Sequence, residues 1–599
     1  MESNSNFILK AFTEHESKFN KIPVPPLKDT IQSYLNSIKA VSTKEEYLHS
    51  LKIVDDFMQV VGPRLQTRLL KKANNSKNWV LDVFSEKQPL TKLPFATNCS
   101  LLFNYKFNSQ IDAAAKIIFT CLIIKIIIMT NQFQHITRLC PTMYYYLFHS
   151  CKIPNESKDV IDTYPLEYYN HIIVLCKNSF YKLDVSFNFD YLTSQIKQIL
   201  LSEKNNSTKK EEFIGVLTTQ NREKWVSSRN YFLKLSPSNK EFMNEINSSM
   251  MIICLEDEIS NELSLQKLSE ICWLSEGNNR YFDKTVQFII YKDGLVALNN
   301  NRKLINGTIS NEIIKFIINA DKTYCFSEKT VSQEKKPHIN ELITRLVDNS
   351  SIYSRNCCTP VKLKYDLDEN LRRDISQGYT NLMKKEFFHD ILLYTRFGRS
   401  TISQNYSIKI DSFIQMAIQY SYFKFFNKYP VVLQPVHTRK FYMGTTEAVR
   451  SLTLQSINFI ASLVDKKAPN ALKQRLGYAA FKTHFQQVIN SSNGLGIDRH
   501  FEGLISVLNG EPLPDLFKDV LYERSRRCDI VTISFNTDYI SFSHFFPPYY
   551  GNMTIAYFIR SDRIDFTVTS KNNDCTAFLE IMKNSLNELF EIFYHKPKF

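Results

Sequence analysis

Apolar and polar residues alternate near the middle of this 599-residue chain, where Val286, Phe288 and Ile290 are separated by single residues. A period of two is typical of a β-strand with one buried face. The dipeptide Asp293-Gly294 follows this run and indicates a tight turn. The segment therefore predicts a half-buried strand that ends in a turn.

Helical spacing and short apolar runs follow one another along the rest of the chain. Helices are predicted at Asp368–Phe388 and Ile410–Phe425, and Thr576–Phe593 has an apolar residue every three or four positions. Short strands are predicted at His171–Leu175, Phe180–Val185, Ile530–Phe535 and Met553–Ile559. This mixture indicates the α/β class.

The most apolar stretch is Ile117–Met129, which is interrupted by Lys125. A membrane-spanning helix needs about 20 apolar residues, and this stretch is shorter. The preceding Asp112–Ala115 favours a helix. We expect a buried helix and no transmembrane segment.

Composition adds limits on size and partners. A chain of 70.1 kDa with 43% hydrophobic residues can form about two to four domains. The net charge of +14 could indicate a nucleic-acid partner, but no long basic run or RNA-binding signature accompanies it. We therefore expect no nucleic-acid partner, and a mildly basic surface also suits an anionic small molecule.

Cysteine usage and the chain ends bear on the compartment. The twelve cysteines lack the spacing of a zinc site, so we expect reduced thiols and no metal. The first residues include Glu2, Glu14 and Glu16 and do not resemble a secretory signal or a mitochondrial presequence. The final Lys596–Phe599 is not a peroxisomal signal. These features predict an intracellular protein, with the cytoplasm as the expected compartment.

Several segments carry motifs of one known family. Gly444–Thr453 reads GTTEAVRSLT, Gly496–Leu504 reads GIDRHFEGL, and Asn279–Leu298 reads NRYFDKTVQFIIYKDGLVAL. Together with the proline-led segment Lys21–Leu35, they resemble the choline/carnitine acyltransferases, and among these the carnitine acetyltransferases most.

The resemblance implies an architecture. The family has two lobes, each similar to a chloramphenicol acetyltransferase monomer, with an active-site tunnel between them. We place the first part at residues 1–365 and the second at 366–599, and the helices of residues 1–90 could pack with the second lobe. The same resemblance implies a monomer that meets a CoA thioester and a carnitine-like molecule as substrates or ligands, without a resident cofactor.

The resemblance also locates the catalytic base, and this chain departs from the family there. The family has a histidine eight positions after the turn glycine, an acidic residue four positions later, and then a glycine. Here these positions are Arg302, Asn306 and Gly307. An arginine is effectively never deprotonated in proteins, and Asn306 cannot supply the missing negative charge. The fold is therefore expected without the family's base.

Positions that hold carnitine in the family are partly retained. Thr446 and Arg499 match the residues that bind the carnitine carboxylate, and the planar fork of an arginine suits a carboxylate. Arg499 could instead join a buried ion pair that holds the lobe together. The family's Ser-Thr-Ser motif reads Thr532-Ile533-Ser534. Ser534 keeps a donor for the tetrahedral oxyanion, and Thr532 keeps a hydroxyl near the carnitine position.

CoA-binding positions are retained less completely. The family has two lysines four positions apart after a Phe-Gly pair, near the CoA 3′-phosphate, and this chain has Arg399 and Ser403. Asp411 begins a segment that matches the helix start of the family. One cation of the pair is thus kept.

Three functional hypotheses follow. The first is an inactive homologue that binds CoA, acyl-CoA or a related anion through Arg302, Arg399 and Arg499. The second is an active carnitine acyltransferase that moves a short acyl group with a relocated base, for which the candidates are His338, His437 and His500. The third is an interaction protein that uses the outer surface of the fold.

Overall fold

The computed structural model describes residues 18–87, 93–157, 159–204, 209–323, 359–384, 387–404, 408–546, 553–571 and 574–594. They form two compact units, each with its own large sheet. The first unit contains the described residues of 89–385 and Tyr539–Phe546, and the second contains those of 15–88, 386–538 and 547–599. The predicted α/β class with two sheet-containing lobes is confirmed. The boundary at residues 365–366 and the tunnel stay predictions.

The strands are numbered in chain order. They are β1 (Asn98–Lys106), β2 (Ser150–Ile153), β3 (Val160–Thr163), β4 (His171–Cys176), β5 (Ser179–Asp184), β6 (Ile252–Leu255), β7 (Val286–Ile290), β8 (Leu295–Asn301), β9 (Val361–Lys362), β10 (Phe388–Tyr394), β11 (Val432–His437), β12 (Thr446–Arg450), β13 (Ile530–Phe535), β14 (Ile540–Phe545), β15 (Met553–Ile559) and β16 (Ile564–Ser570).

The α-helices are α1 (Leu27–Lys39), α2 (Lys44–Asp56), α3 (Gly62–Asn75), α4 (Trp79–Lys87), α5 (Gln110–Met129), α6 (Phe189–Ser202), α7 (Arg222–Leu235), α8 (Pro237–Ser248), α9 (Leu265–Trp273), α10 (Gly307–Thr323), α11 (Glu369–Met383), α12 (Arg399–Ile402), α13 (Ile410–Phe426), α14 (Leu454–Val464), α15 (Asn470–Ser492), α16 (Ile497–Ser506), α17 (Val520–Arg526) and α18 (Cys575–Tyr594). A π-helical turn at Phe57–Val61 joins α2 to α3, and 3₁₀ turns occur at Pro94–Thr97, Phe133–His135, Thr142–Tyr146, Lys210–Glu212, Ile214–Thr219, Ser260–Glu262, Ser275–Gly277 and Asp515–Phe517.

The first unit is built on an eight-stranded sheet. Its strand order is β14-β1-β8-β7-β6-β4-β5-β9, and β2 pairs with β3 in a separate two-stranded sheet. The central strands β4, β6 and β7 run parallel to one another, whereas β7-β8, β8-β1 and β1-β14 are antiparallel. Strand β14 comes from the late part of the sequence and forms one edge.

Strand β7 shows why a polar residue in an alternating pattern need not face water. Every residue of this strand is buried, so the prediction of a half-buried strand is wrong. The side chain of Gln287 is enclosed, and its Oε1 accepts a hydrogen bond from the backbone N–H of Tyr281 at 2.8 Å. The hydrogen bond to this oxygen offsets part of the cost of burying the amide. The predicted turn is present, since Gly294 has a φ of +83°.

The second unit contains a six-stranded sheet with the order β10-β16-β15-β13-β11-β12. Strand β13 runs parallel to both β11 and β15. The sheet shares an apolar core with α13 and α18, because both helices carry apolar residues at helical spacing. The strands predicted at Ile530–Phe535 and Met553–Ile559 are confirmed.

A second apolar cluster of this unit joins the early helices to α16 and α17. Tyr34 of α1 meets Phe501 of α16 edge to face, with ring centroids 5.2 Å apart. Edge-to-face aromatic pairs add stability beyond their buried area. Residues from opposite ends of the sequence thus share one core.

Helix α5 contains the apolar stretch noted in the sequence and is buried along nearly its whole length. Lys125 has no exposed surface, and its Nζ donates to the backbone oxygen of Tyr169 at 2.8 Å and to Asn170 Oδ1 at 3.2 Å. Among the residues that the structure describes, no helix is long and apolar enough to cross a membrane. The predicted buried helix is confirmed.

Candidate active site

Arg302 follows directly after β8 in the first unit. Its backbone N–H donates to the carbonyl of Thr97 at 3.0 Å. The pairing of β1 with both β8 and β14 sets the surroundings, because Cys99 lies opposite Asn300 on one side and Phe545 on the other. The strand pairing therefore brings β1, β8 and β14, which are far apart in sequence, together beside Arg302.

The guanidinium of Arg302 lacks an ionic partner within the described part of the chain. Its Nη2 donates to the Phe546 carbonyl at 3.4 Å, and its Cζ lies 5.2 Å from the centroid of the Phe545 ring. No described carboxylate lies within 4 Å of it. Burial lowers the pKa of Arg302, while nearby Cys99 raises it. A guanidinium nevertheless stays charged, so this is a sheltered cation with weak protein contacts.

Asn306 has a structural role at the start of α10. Its Oδ1 accepts a hydrogen bond from the backbone N–H of Ile309 at 3.1 Å, and its carbonyl accepts one from Ser310 at 3.1 Å. Its Nδ2 lies 3.5 Å from Met143 Sδ. Asparagine is among the preferred residues for this N-terminal cap. The side chain of Asn306 thus caps the N-terminus of α10.

Three described histidines of the first unit have hydrogen-bond partners other than Arg302. His149 Nδ1 lies 2.8 Å from the Ser248 carbonyl, and His171 Nε2 lies 2.9 Å from that of Glu245. Burial lowers the pKa of both histidines. His544 is bonded to Ser269 and stacks on Trp273 with centroids 5.5 Å apart. Because successive residues of a strand point to opposite faces, His544 points away from the face of Phe545.

Thr446 and Arg499 lie together in the second unit. Arg499 Nε donates to the backbone oxygen of Thr446 at 3.2 Å, and its Nη1 donates to Glu502 Oε2 at 2.8 Å. The neighbouring Arg450 forms a bidentate pair with Asp498, with distances of 2.8 and 3.2 Å. Two of the three predicted carnitine residues are therefore adjacent, and Arg499 already has a carboxylate partner.

Ser534, Thr532 and Asp411 belong to one polar network of this unit. Thr532 is fully buried and its Oγ accepts from Gln415 Nε2 at 2.8 Å. Asp411 Oδ1 accepts from the Tyr557 hydroxyl at 2.6 Å. Ser534 also hydrogen bonds to that hydroxyl. The predicted oxyanion donor and the predicted CoA residue are thus linked through Tyr557, which sequence reasoning did not single out.

The same network contains a buried imidazole. His484 Nε2 lies 2.9 Å from Gln434 Oε1, and its Nδ1 lies 3.0 Å from Ser412 Oγ. Gln434 Nε2 donates to Asp411 Oδ2 at 2.9 Å. Burial lowers the pKa of His484, with Asp411 opposing this shift. The ring is consequently held neutral between two polar neighbours.

Arg399 and Ser403 form a small local assembly. The side chain of Arg399 contacts Asn536 and lies 3.5 Å from Asp538 Oδ2, and Ser403 Oγ donates to the Arg399 carbonyl at 2.7 Å. Gly398 precedes Arg399, and a larger residue would not fit there, because a Cβ at this position would lie 2.4 Å from the backbone nitrogen of Arg563. The Phe-Gly pair therefore fixes the approach of this loop to its neighbour.

The relocated-base candidates differ in their surroundings. His500 is buried, with Nδ1 2.7 Å from Thr30 Oγ and Nε2 2.7 Å from Gln66 Oε1, and burial lowers its pKa to about 4. His437 is exposed at the end of β11 and lies opposite Thr446. His338 lies outside the described residues. Of the two described candidates, His437 lies opposite Thr446, and the ring of His500 is bonded to Thr30 and Gln66.

Within the described ranges, no group of three or more His, Cys, Asp or Glu side chains could hold a metal ion. The nine cysteines in these ranges are buried and form no disulfide with one another.

The whole chain carries the signature of one family. A sequence model of the choline/carnitine O-acyltransferases matches residues 22–588. The chain belongs to this family. Similar proteins include the peroxisomal carnitine O-octanoyltransferase of Bos taurus, 25% identical over 86% of this chain and 85% of that protein. The carnitine O-acetyltransferase of Columba livia is 27% identical over 98% and 95%. The mitochondrial carnitine O-acetyltransferase of Saccharomyces cerevisiae is 24% identical over 92% and 83%.

Membership in the choline/carnitine acyltransferase family confirms the resemblance seen in the sequence. The names of the relatives include a peroxisomal and a mitochondrial protein, so the cytoplasmic compartment stays a prediction. The monomeric state also stays a prediction.

Sequence reasoning did not single out two acidic residues of this acyltransferase homologue. Glu447 follows Thr446 and is buried, and burial raises its pKa to about 8, with Arg499 opposing and Asp498 reinforcing the shift. Glu502 is the ionic partner of Arg499. Both residues lie inside the two motif boxes, so the boxes located them, but only the fold shows what they contact.

Proposed function

We propose that this chain is a carnitine acyltransferase homologue that binds a CoA thioester or a related anion and does not transfer the acyl group. The observation that carries the proposal is the side chain of Arg302. It is a sheltered cation with one long contact to a carbonyl, at the position that the motif alignment assigns to the base.

Loss of the base follows from the chemistry of the side chains. Acyl transfer to carnitine requires a group that removes a proton from the carnitine hydroxyl near neutral pH. A guanidinium cannot accept that proton, and Asn306 caps α10 instead of supplying a carboxylate. General base catalysis is worth roughly 10²–10⁴-fold, so its loss is expected to leave little turnover.

Anion binding is favoured by the electrostatics around Arg302. The cation is partly removed from water, and no carboxylate of the described residues neutralises it within 4 Å. An incoming carbonyl oxygen or anion would gain charge-assisted hydrogen bonds there. Arg399, Ser403 and Asp411 are the positions expected to meet CoA, and Thr446, Arg499 and Thr532 are those expected to meet a carnitine-like molecule. Ser534 is the residue expected to donate to the tetrahedral oxyanion.

The test compares thiol release from acetyl-CoA in the presence of carnitine. The wild type is measured beside Arg302→His/Asn306→Glu, which restores the family's base and acidic neighbour. Arg302→Gln/Asn306→Asp is the matched control, because it changes the same positions and, like the first variant, carries an acidic residue at 306, but it introduces no imidazole. We expect a silent wild type, a silent control and measurable turnover in the first variant.

CoA binding is measured separately by calorimetry with the wild type and Arg302→Gln. We expect the wild type to bind CoA or acetyl-CoA and the variant to bind more weakly. Robust turnover by the wild type would refute the loss of catalysis, and unchanged affinity in Arg302→Gln would refute the role of Arg302.

One observation favours a second candidate function, an active acyltransferase with His437 as the base. In the antiparallel pair β11-β12, His437 lies opposite Thr446, and Thr438 N–H donates to the Thr445 carbonyl at 3.1 Å. This pattern makes His437 and Thr446 a non-hydrogen-bonded pair, whose side chains share a face and lie close together. If the wild type is active, His437→Gln is expected to abolish turnover and retain CoA binding.

A further inference from the structure

Arg499, the residue expected to receive a ligand carboxylate, is occupied by a carboxylate of its own helix. Its Nη1 donates to Glu502 Oε2 at 2.8 Å. The other oxygen of Glu502 lies 3.6 Å from Arg526 Nη2. Since Nε of Arg499 donates to the Thr446 carbonyl at 3.2 Å, the guanidinium is held from two directions.

This ion pair is sheltered compared with pairs on the surface. The exposed fractions of the Arg499 and Glu502 side chains are 17% and 27%, against 73% and 61% for Arg527 and Glu523 in and beside the neighbouring α17. Shielding from water and salt strengthens such a contact. The Arg499–Glu502 pair is therefore expected to persist at physiological ionic strength.

The motif itself does not require an acid at this place. The family box reads Asp-Arg-His-x-x-Gly-Leu, and Glu502 fills the second unspecified position. The invariant-looking acid of the box, Asp498, is already committed to Arg450 in a bidentate pair. Glu502 is thus an additional carboxylate, placed three residues after Arg499 on the same helix, where side chains meet.

We propose that Glu502 competes with carboxylate ligands for Arg499, so that the site excludes them until this ion pair opens. The inference rests on the proposed function only through the assignment of Arg499 to substrate binding, and not on the loss of catalysis. It makes Glu502 a specificity-determining residue: a zwitterion such as carnitine binds weakly because its carboxylate must displace an internal one.

The test is a titration of the full chain with L-carnitine by calorimetry. We expect Glu502→Gln to bind carnitine roughly tenfold more tightly than the wild type, since one charge-assisted contact no longer has to be broken. Glu523→Gln, which loses an exposed pair on α17, is the matched control and should bind as the wild type does. Adding Arg499→Gln to Glu502→Gln should remove the gain.

Two results would overturn the proposal. Equal affinities of Glu502→Gln and the wild type would show that Glu502 does not compete, and absence of carnitine binding in a folded Glu502→Gln would show that Arg499 is not a carboxylate site. A CoA titration of the same proteins keeps the two proposals apart. A gain in carnitine affinity without any CoA binding would count against the proposed function alone.

The pH dependence of carnitine affinity distinguishes competition by Glu502 from a purely structural ion pair, because a structural pair would not change this affinity. The charged and titratable groups around Glu502 are Arg499 and Asp498 on α16, Arg526 and Tyr522 on α17, and Glu447 on β12. Burial raises the pKa of Glu502, with Arg499 opposing. Carnitine affinity of the wild type should therefore rise as pH falls and Glu502 takes up its proton, and that of Glu502→Gln should change less.

Discussion

Arg302 in the first unit and Arg499 in the second are the two arginines that we proposed to meet a ligand, but their surroundings differ. Arg302, proposed to stand at the position of the base, has a 3.4 Å contact to a carbonyl. Arg499, proposed to match the family's carboxylate-binding arginine, is paired with Glu502 at 2.8 Å. The comparison teaches that the identity of a residue and its availability for a ligand are separate properties, because a residue that matches a motif can already have an ionic partner.

The largest expected effect is a loss of stability on substitution of Arg450. This substitution distinguishes a structural arginine from one proposed to bind a ligand. Arg450→Met would leave the buried carboxylate of Asp498 without its bidentate partner, which typically costs about 3–5 kcal/mol. Urea unfolding should show this loss. Arg527→Met, which breaks an exposed pair on α17, should change stability by less than about 0.5 kcal/mol.

The raised pKa of Glu447 predicts how the stability of the protein depends on pH. Because its folded pKa is raised to about 8, the folded protein keeps a proton that the unfolded chain releases above about 4.5. The free energy of unfolding should therefore fall as pH rises from about 4.5 to about 8. Glu447→Gln should flatten this dependence, as measured by denaturation at several pH values. An unchanged slope in the variant would contradict the assignment.

Substitutions at Asn306 test whether the role of this residue is to cap α10. Asn306→Ala removes the cap of α10 and should cost about 1 kcal/mol. Asn306→Asp keeps an acceptor for the Ile309 N–H and should cost much less. Equal losses in the two variants would show that the cap is not the reason for the effect. Thermal unfolding followed by circular dichroism is sufficient for this comparison.

The smallest expected effect concerns Arg302 itself. Arg302→Met replaces a desolvated cation by an apolar chain of similar length and loses the contact with the Phe545 ring. Relief of the desolvation cost should exceed the lost cation–π contact, so stability should rise by up to about 1 kcal/mol. CoA affinity should fall in the same variant. Lower stability would mean that Arg302 supports the sheet, and unchanged CoA affinity would remove it from the ligand site.

Sequence reasoning succeeded where a pattern is local. The strand Ile530–Phe535 has its predicted bounds, and the last helix differs from its prediction by one residue at each end, at Cys575 and Tyr594. Alternating or helical spacing decides such elements, because a strand or helix buries the residues that its own geometry aligns.

Sequence reasoning failed where burial depends on the whole fold. The alternating pattern places Gln287 on the polar face of its strand, yet the fold buries it, and its Oε1 accepts a hydrogen bond from the Tyr281 N–H. The Arg499–Glu502 pair is local in sequence, but its shelter from water comes from the packing of α16 beside β12. The motif boxes located Thr446 and Arg499, but partner choice depends on tertiary structure.

The position of β14 has a consequence for the synthesis of this protein. This strand pairs along β1 at the edge of the first sheet, yet it leaves the ribosome about 430 residues after β1, which at typical rates takes roughly 20–90 s. Until then the flank of β1 that β14 later covers has no strand beside it, and an open strand flank is a template for association with other chains. A nascent or truncated chain that ends before Tyr539 is therefore expected to depend on chaperones, even though most of the first unit has already been made.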